Sequence, residues 1–521
     1  MIEVKNVFNK KYSELFKKDI LKIDDILKDN ELTIICADFY GIQNFIFENV
    51  PSSKAYKVLR AKSAYVQIFT KVLSLYILKV LGLEEENIIF SEAGKIEILS
   101  PRVDKNKIEE IQKEVDNYFI ENFFALAGVK LVSMDILKSY LINPKEFREI
   151  REKLNEKMEF AKFNKFNLQN QNTVLDYVDV PTNQTLCKTC GIRRIQEEKE
   201  VCKICDDFIK LGENLASKNY MKISNDDSGI KIFNNYHVSF SENENDEFKS
   251  LKEFWKIKSY VKSNEKGVAY SFDDLAKNTE GAENLAVIKG DVDSLGEFIK
   301  DKSNAFDSYE NYIYFSYTLN NFFTQKVPEF LEENYKNTYV VFTGGDDFFI
   351  IGAWNEIIDF SEKIYKEFRN FSNENLTLSV AIMLSKENVP ISYMSSKIEE
   401  LLEKSKENQD KDSITLFDET VKWQEYIDVK KVLENELSKI EEEDKKSAFF
   451  YSLLELIEMS IKVKEGDVLS TMWKSKLNYS FRRNMKKESY EDLYKVLDTQ
   501  IEKNPKASKM VISEFIYKGR D

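Results

Sequence analysis

Thr343-Gly344-Gly345-Asp346-Asp347 places two adjacent carboxylates in a short polar break between apolar runs, the pattern of a hairpin tip. Side-by-side carboxylates repel unless a cation lies between them, and Mg2+ or Mn2+ takes carboxylate and phosphate oxygens as ligands. Gly344 and Gly345 permit a tight turn and let a nucleotide approach the backbone. Upstream, the apolar run Leu285 to Lys289 ends in Gly290-Asp291-Val292-Asp293. If the two strands are neighbours, Asp291, Asp346 and Asp347 converge on one or two metals. That is a layout for phosphoryl transfer, in which the metal activates a hydroxyl and stabilises leaving pyrophosphate. Gly-Gly-Asp-Asp alone is also an ordinary β-turn; the second acidic cluster and the surrounding order of elements favour the metal site.

A second constellation is Cys187-Lys188-Thr189-Cys190 with Cys202-Lys203-Ile204-Cys205, a CxxC-x11-CxxC pattern. Each CxxC can fold as a knuckle offering two thiolates, and two knuckles give a tetrahedral sulfur site for Zn2+. Four thiolates leave no open coordination position, so the expected zinc is structural. Arg193 and Arg194 beside it are candidates for RNA phosphates or a plain solvated face. The sequence has one histidine, His237, in a strand-like alternation. One histidine cannot build an HD-type nuclease or an HExxH protease, so neither chemistry is expected.

Two similar runs of elements must position these residues. The first is a strand at Leu32 to Ala37, a helix at Ser53 to Leu81, strands at Asn87 to Phe90 and Ile96 to Leu99, a helix near Lys105 to Ala125, and a strand near Val129 to Ile136. The second is a strand at Leu285 to Lys289, one helix over Tyr309 to Asn334, strands at Thr338 to Phe342 and Phe348 to Ile351, a helix at Asn355 to Phe371, and a strand at Leu376 to Met383. A helix at Ser392 to Lys406 and a strand at Ser413 to Phe417 follow. The β-α-β-β-α-β order predicts an α+β chain with two ferredoxin-like palms, nucleotidyl-cyclase-like, with a zinc-binding module between them and a C-terminal helical domain. The expected domains are 1–145 (a degenerate first palm with a short N-terminal extension), 146–281 (zinc-binding linker), 282–427 (second palm) and 428–521 (helical). Where the second palm has Gly-Gly-Asp-Asp, the first has Glu92-Ala93-Gly94-Lys95.

Net charge is −14, which excludes a globally basic nucleic-acid binder, so RNA contacts must use local patches or partner subunits. Met1 to Ile20 has no apolar core of a signal peptide. Tyr65 to Leu83 carries Lys71 and Lys79 and reads as a buried helix, not a membrane span. A soluble, cytoplasmic protein is expected. Lys54, Lys57, Arg60 and Lys62, at the start of the long first helix, read as either a triphosphate- or RNA-binding face or a solvated one.

Taken together, Asp38-Phe39-Tyr40-Gly41-Ile42-Gln43-Asn44-Phe45, Leu59-Arg60-Ala61-Lys62-Ser63, the cysteine cluster leading into Leu211-Gly212-Glu213-Asn214-Leu215, Gly290-Asp291-Val292-Asp293-Ser294-Leu295-Gly296 and Gly344-Gly345-Asp346-Asp347 with its following Trp354 make the chain resemble the large signature subunit of type III CRISPR interference complexes, Csm subtype. The resemblance implies a complex with CRISPR RNA and other type III effector subunits that senses target RNA and joins ATP into cyclic oligoadenylates. It implies metal binding by Asp291, Asp346 and Asp347, and nucleotide contacts at Gly344, Gly345, Ser294 and Lys406. Tyr40 stands where the family usually has Ser, and many members carry an HD nuclease domain not expected here. Coupling of AMP to S-adenosylmethionine, a non-catalytic scaffold role and a stand-alone diguanylate cyclase are the competing readings.

Overall fold

The computed structural model describes residues 6–15, 29–50, 55–165, 184–196, 200–242, 254–256, 270–301, 306, 308–441, 447–485 and 490–520. The first large unit runs β1 (Glu31–Tyr40), α1 (Ala55–Leu81), β2 (Ile88–Glu92), β3 (Lys95–Pro101), α2 (Lys105–Phe123), β4 (Gly128–Leu137) and α3 (Pro144–Phe163). Its sheet has the order β2-β3-β1-β4, all antiparallel. Next come the cysteine hairpin β5 (Gln184–Leu186) and β6 (Arg194–Gln196), then α4 (Lys203–Ser217). A small sheet follows with β7 (Tyr220–Ser224), β8 (Ile230–Phe233), β9 (Tyr236–Ser241) and β10 (Phe254–Lys256), in which His237 is a buried strand residue.

The second large unit repeats the order of the first. It runs β11 (Leu285–Val292), α5 (Leu295–Lys300), α6 (Tyr309–Asn321), α7 (Val327–Asn334), β12 (Thr338–Gly344), β13 (Asp347–Ala353), α8 (Trp354–Phe371), β14 (Leu378–Ser385) and α9 (Ile391–Glu407). β15 (Ser413–Leu416) and β16 (Glu419–Lys422) extend its sheet to the order β12-β13-β11-β14-β15-β16. The single helix expected over Tyr309 to Asn334 is broken: Phe322–Lys326 winds as a π turn between α6 and α7. Five helices complete the described chain: α10 (Trp423–Leu437), α11 (Ser447–Lys464), α12 (Trp473–Asn484), α13 (Glu491–Lys503) and α14 (Pro505–Lys518).

The second sheet is buried on both faces. Along β11, Ala286 and Ile288 join a core with α8 and the C-terminal helices, while Leu285 and Val287 join a core shared with the first unit. β13 alternates in the same way, with Phe348 and Ile350 on one side and Phe349 and Ile351 on the other. Two-sided burial explains why these strands read as unbroken apolar runs rather than as an alternation. Across the shared core, the Phe47 and Phe349 rings lie 4.6 Å apart and Tyr339 donates its hydroxyl to the Tyr56 carbonyl at 2.9 Å.

α1 is apolar and long enough to span a membrane by composition alone, but most of it is packed inside the protein, as the sequence reading expects. Its basic start corrects the sequence reading, which offered a phosphate-binding or a solvated face. Arg60 and Lys62 are buried. Arg60 donates to the Gly212 carbonyl at 3.0 Å and lies 5.5 Å from the centre of the Tyr339 ring. Lys62 donates to the Glu48 carbonyl at 2.6 Å, and Lys57 pairs with Glu213 at 2.7 Å. Lys54 lies outside the described residues. The cause is helix contact: a side chain at Gly212 would sit 2.2 Å from the Lys57 carbonyl, so only glycine lets α4 come this close to α1. These cations are stems and staples between helices.

The two large units also meet through a buried polar group. Arg151 of α3 donates to Glu97 Oε2 at 2.8 Å and to the Tyr312 hydroxyl at 2.6 Å, with its guanidinium 4.1 Å from the Tyr312 ring centre. Arg151→Ala strands the Glu97 carboxylate, which is largely buried. The expected cost is about 3–5 kcal/mol, read as a lowered denaturant midpoint with far-UV spectrum intact below the transition.

Candidate active site

β11 and β13 pair so that Asp291 stands directly opposite Asp347. β12 and β13 close over the two-residue turn Gly345-Asp346, with Gly344 opposite Asp347. Gly345 has φ +67° and open space where a side chain would begin, so glycine serves both the left-handed turn and access to its backbone. The Asp346 carbonyl accepts the Val292 N–H at 3.0 Å, tying the turn to the end of β11. The three carboxylates expected from the sequence are thus brought together at one sheet edge.

Their electrostatics disfavour three ionised carboxylates side by side. Burial, with the charges of Asp346 and Asp291 adding to it and Lys289 opposing, raises the Asp347 carboxyl to about 8. Burial raises Asp291 to about 6 against the opposing effect of Lys406. Lys406, at the end of α9, reaches Asp291 Oδ2 at 2.8 Å. Lys289, the other nearby cation, is paired with Glu399. Three carboxylates with this little positive charge among them fit a divalent ion.

Ser294 lies one turn further on, with φ 50°, and its hydroxyl accepts from Lys411 Nζ at 2.9 Å. Asp293 has no separate task in the sequence reading. It is buried, accepts from the Thr377 hydroxyl at 2.8 Å and the Asp412 N–H at 3.0 Å, and so holds the loop that carries Lys411.

The acidic edge opens on a cavity of about 390 Å³ between the two large units. Its walls include Ile96, Met158, Ile299 and Phe315, and its mouth has Gly344, Gly345, Asp346 and Asp347 on one side and Asp38, Ala93 and Lys95 on the other. The opposite side is a charge-altered copy of the first. Asp38 stands opposite Lys95 in the register of β1 and β3, as Asp291 stands opposite Asp347. Lys162, at the end of α3, reaches Asp38 at 2.7 Å, as Lys406 reaches Asp291. Sequence reasoning missed Asp38 and Lys162 as members of this site; the repeat of element order was the available signal.

The four cysteines lie together, buried, with their sulfurs all within 4.8 Å of one another. The Cys202 N–H points at Cys187 Sγ at 3.3 Å and the Cys205 N–H at Cys202 Sγ at 3.5 Å, as thiolate ligands require. The Gly191 N–H returns to the Cys187 carbonyl at 2.8 Å, closing the first knuckle. The set fits a structural metal such as Zn2+. Arg193 is used internally: it donates to the Asn122 carbonyl and lies 5.2 Å from the Phe124 ring centre, fastening the knuckle to α2. Arg194 is exposed.

Comparison with known proteins identifies the family and the fold. Residues 284–415 match the family model described as Cas10/Cmr2, second palm domain, and residues 31–179 match Csm1 subunit domain B. The chain belongs to the Cas10/Csm1 family. A Cas10/Csm1 protein of Streptococcus thermophilus, described as a single-strand-specific deoxyribonuclease of subtype III-A, is 26% identical over 478 residues, covering 85% of this chain and 62% of the relative. The Mycobacterium tuberculosis Cas10/Csm1 protein is 24% identical over 510 residues, covering 85% and 61%. The chain therefore spans less than two thirds of the length of these relatives. Among solved structures, an apo Csm1–Csm4 cassette superposes with a TM-score of 0.73 at 20% identity, over 96% of this chain and 72% of that one. Csm1 of T. onnurineus gives 0.72 at 20% identity, over 95% and 70%. These likenesses establish the Cas10-like fold.

Two outcomes follow for this Cas10/Csm1-family chain. Asp347 has a folded pKa above its unfolded one, so the metal-free fold holds a proton that the unfolded chain has lost between about pH 4 and 8. Metal-free stability should fall as pH rises through that window. Asp347→Asn should flatten the fall, and Mn2+ affinity of the unaltered chain should strengthen from pH 6 to 8 as protons are displaced, readable from melting curves in EDTA and from calorimetric Mn2+ titrations. Separately, Cys187→Ser or Cys202→Ser should lower zinc content and melting temperature together, since thiolate coordination contributes to folding; elemental analysis of the purified chain measures the first.

Proposed function

We propose that this chain is the nucleotide-joining large subunit of a type III-A CRISPR effector, converting ATP into cyclic oligoadenylate when target RNA binds the guide-loaded complex. The observation that carries the reading is the convergence of Asp291, Asp346 and Asp347, the last two lining a cavity whose other rim comes from a second, like-ordered sheet. We read the two sheets as paired ferredoxin-like palms, the first degenerate. Solved Csm1–Csm4 cassettes bound to one ATP, AMPPNP, pppApApA, cA3 and cA4 support the substrate and product class. Csm4 in those structures, one of them described as a subcomplex of the type III-A CRISPR-Csm interference complex, supports an assembly with other effector subunits; CRISPR RNA and target RNA belong to the same proposal.

In this reading Asp291, Asp346 and Asp347 hold Mg2+ or Mn2+. A divalent ion there neutralises triphosphate charge and lowers the pKa of an attacking 3′-hydroxyl. Lys406, paired with Asp291, supplies an ammonium beside the three carboxylates that would meet a phosphate oxygen bound there. The turn at Gly344 and Gly345 gives triphosphate oxygens room beside the backbone, and the apolar walls limit water. Ser294 and Lys411 lie at the far end of the same edge, where a second phosphate contact fits. On the first palm, Lys95 stands where the second has Asp347, so this rim offers a nucleotide's phosphate an ammonium and recruits no metal of its own. The relatives' deoxyribonuclease activity is not carried over, because the one histidine in these 521 residues, His237, cannot assemble a His–Asp metal centre.

Asp346→Ala with Asp347→Ala should abolish nucleotide product while leaving target-RNA binding within about twofold, since these side chains bind metal only. The assay is the assembled complex with target RNA, ATP, GTP and S-adenosylmethionine, its products separated by chromatography. Undiminished product from the double variant would overturn the site.

A further inference from the structure

Asn320, next to last in α6, is 1% exposed. Its Oδ1 accepts the Gly345 N–H at 2.8 Å, and its Nδ2 donates to the Glu92 carboxylate. Gly345 is in the acidic turn of the second unit and Glu92 ends β2, in the hairpin of the first. One side-chain amide therefore touches both rims of the cavity. Its surroundings hold it there. The π turn begins two residues later, and Thr324 from that turn donates its hydroxyl to the Asn320 carbonyl at 2.9 Å. A side chain begun at Gly344 would lie 3.4 Å from the Thr324 methyl and 3.6 Å from Ala93 Cβ, so the two tips stand within one added carbon of contact.

The repeat supplies a control. In the first unit, Gln67 Oε1 accepts the Ala93 N–H at 3.2 Å, and Ala93 occupies in its turn the place of Gly345. The device of a helix amide holding a turn N–H is thus present twice. Gln67 is exposed and its contact stays within its own sheet, whereas Asn320 is buried and its donor end crosses to the other unit.

We propose that Asn320 is a positioning residue that sets the acidic turn against the first unit's hairpin, so that the spacing between the two halves of the cavity depends on this amide. The proposal rests on the nucleotide-joining reading above. Asparagine has a donor and an acceptor at opposite ends of one group; ionised aspartate has acceptors only. Asn320→Asp therefore keeps the bond from Gly345 but sets a carboxylate against Glu92. Adding Glu92→Gln returns a donor and restores the link with its polarity reversed.

The experiment follows two readouts in Asn320→Asp, Glu92→Ala, and the Asn320→Asp/Glu92→Gln pair. In the assembled complex, kcat for nucleotide product should fall about tenfold or more in the two single variants, with KM for ATP little changed, because misplacement of reacting groups acts on rate. The pair should recover most of the loss. In the metal-free chain, amide exchange of the segment 88–95 should quicken in both single variants and slow again in the pair. Glu92→Ala breaks the link from a part-exposed position without adding charge, so it decides the matter if Asn320→Asp fails to fold. Product yield and exchange at 88–95 both unchanged in Glu92→Ala would overturn the proposal while leaving the nucleotide-joining reading in place. Exchange changes as expected in a complex that makes no nucleotide product would overturn that reading and leave the link standing.

Discussion

Asp291 and Asp347 face each other across neighbouring antiparallel strands, a placement that costs free energy whenever both are ionised. A surface hairpin would relieve this by twisting its tip into water. This one is denied that escape. β11 and β13 are packed on both faces, by α8 and the C-terminal helices on one side and by the first unit on the other. The Asp346 carbonyl is bonded to β11 and the Gly345 N–H to Asn320. The surrounding fold thus holds the carboxylates together, and their repulsion is relieved by a proton on Asp347 or by a bound cation. Rigid support of a crowded acidic edge is the requirement that the sheet, its two cores and the C-terminal helices meet together.

The first unit solves the same cross-strand problem in the opposite way. Lys95 takes the place of the second acid, so Asp38 faces a cation across the sheet and receives another from Lys162. An edge neutralised by its own side chains has no use for a metal. The cavity between the units is consequently polarised, with an acidic rim opposite one that carries lysines. In the nucleotide-joining reading, a polyphosphate entering between them would be drawn toward the Lys95 rim directly and toward the acidic rim only through bound cations.

Much of this was legible in sequence, for identifiable reasons. The order of elements in both units follows from short apolar runs separated by turn residues. The cysteine spacing gave its four ligands because knuckle geometry is local. Asp291, Asp346 and Asp347 could be grouped because each ends or begins an apolar strand. The failures are non-local. Arg60 and Lys62 look like a basic face until α4 arrives, and it arrives because residue 212 is glycine, about 150 positions away in the chain. The π turn at 322–326 leaves no mark in helical periodicity, since Phe322, Phe323 and Val327 are apolar in any winding. Asp38 reads as the polar end of a strand, and its likeness to Asp291 emerges only from the register of both sheets.

The core shared by the two units bears on how the chain is made. α1 and the inner face of the first sheet are covered by Val287, Phe349 and Ile351, among others. On a ribosome, α1 emerges more than two hundred residues before those partners. For that interval a 27-residue helix with the hydropathy of a membrane span lacks the part of its cover that the second unit supplies. At about 5–20 residues per second the wait is on the order of ten seconds to a minute, long enough for holdase chaperones or membrane-targeting factors to compete for the same apolar surface.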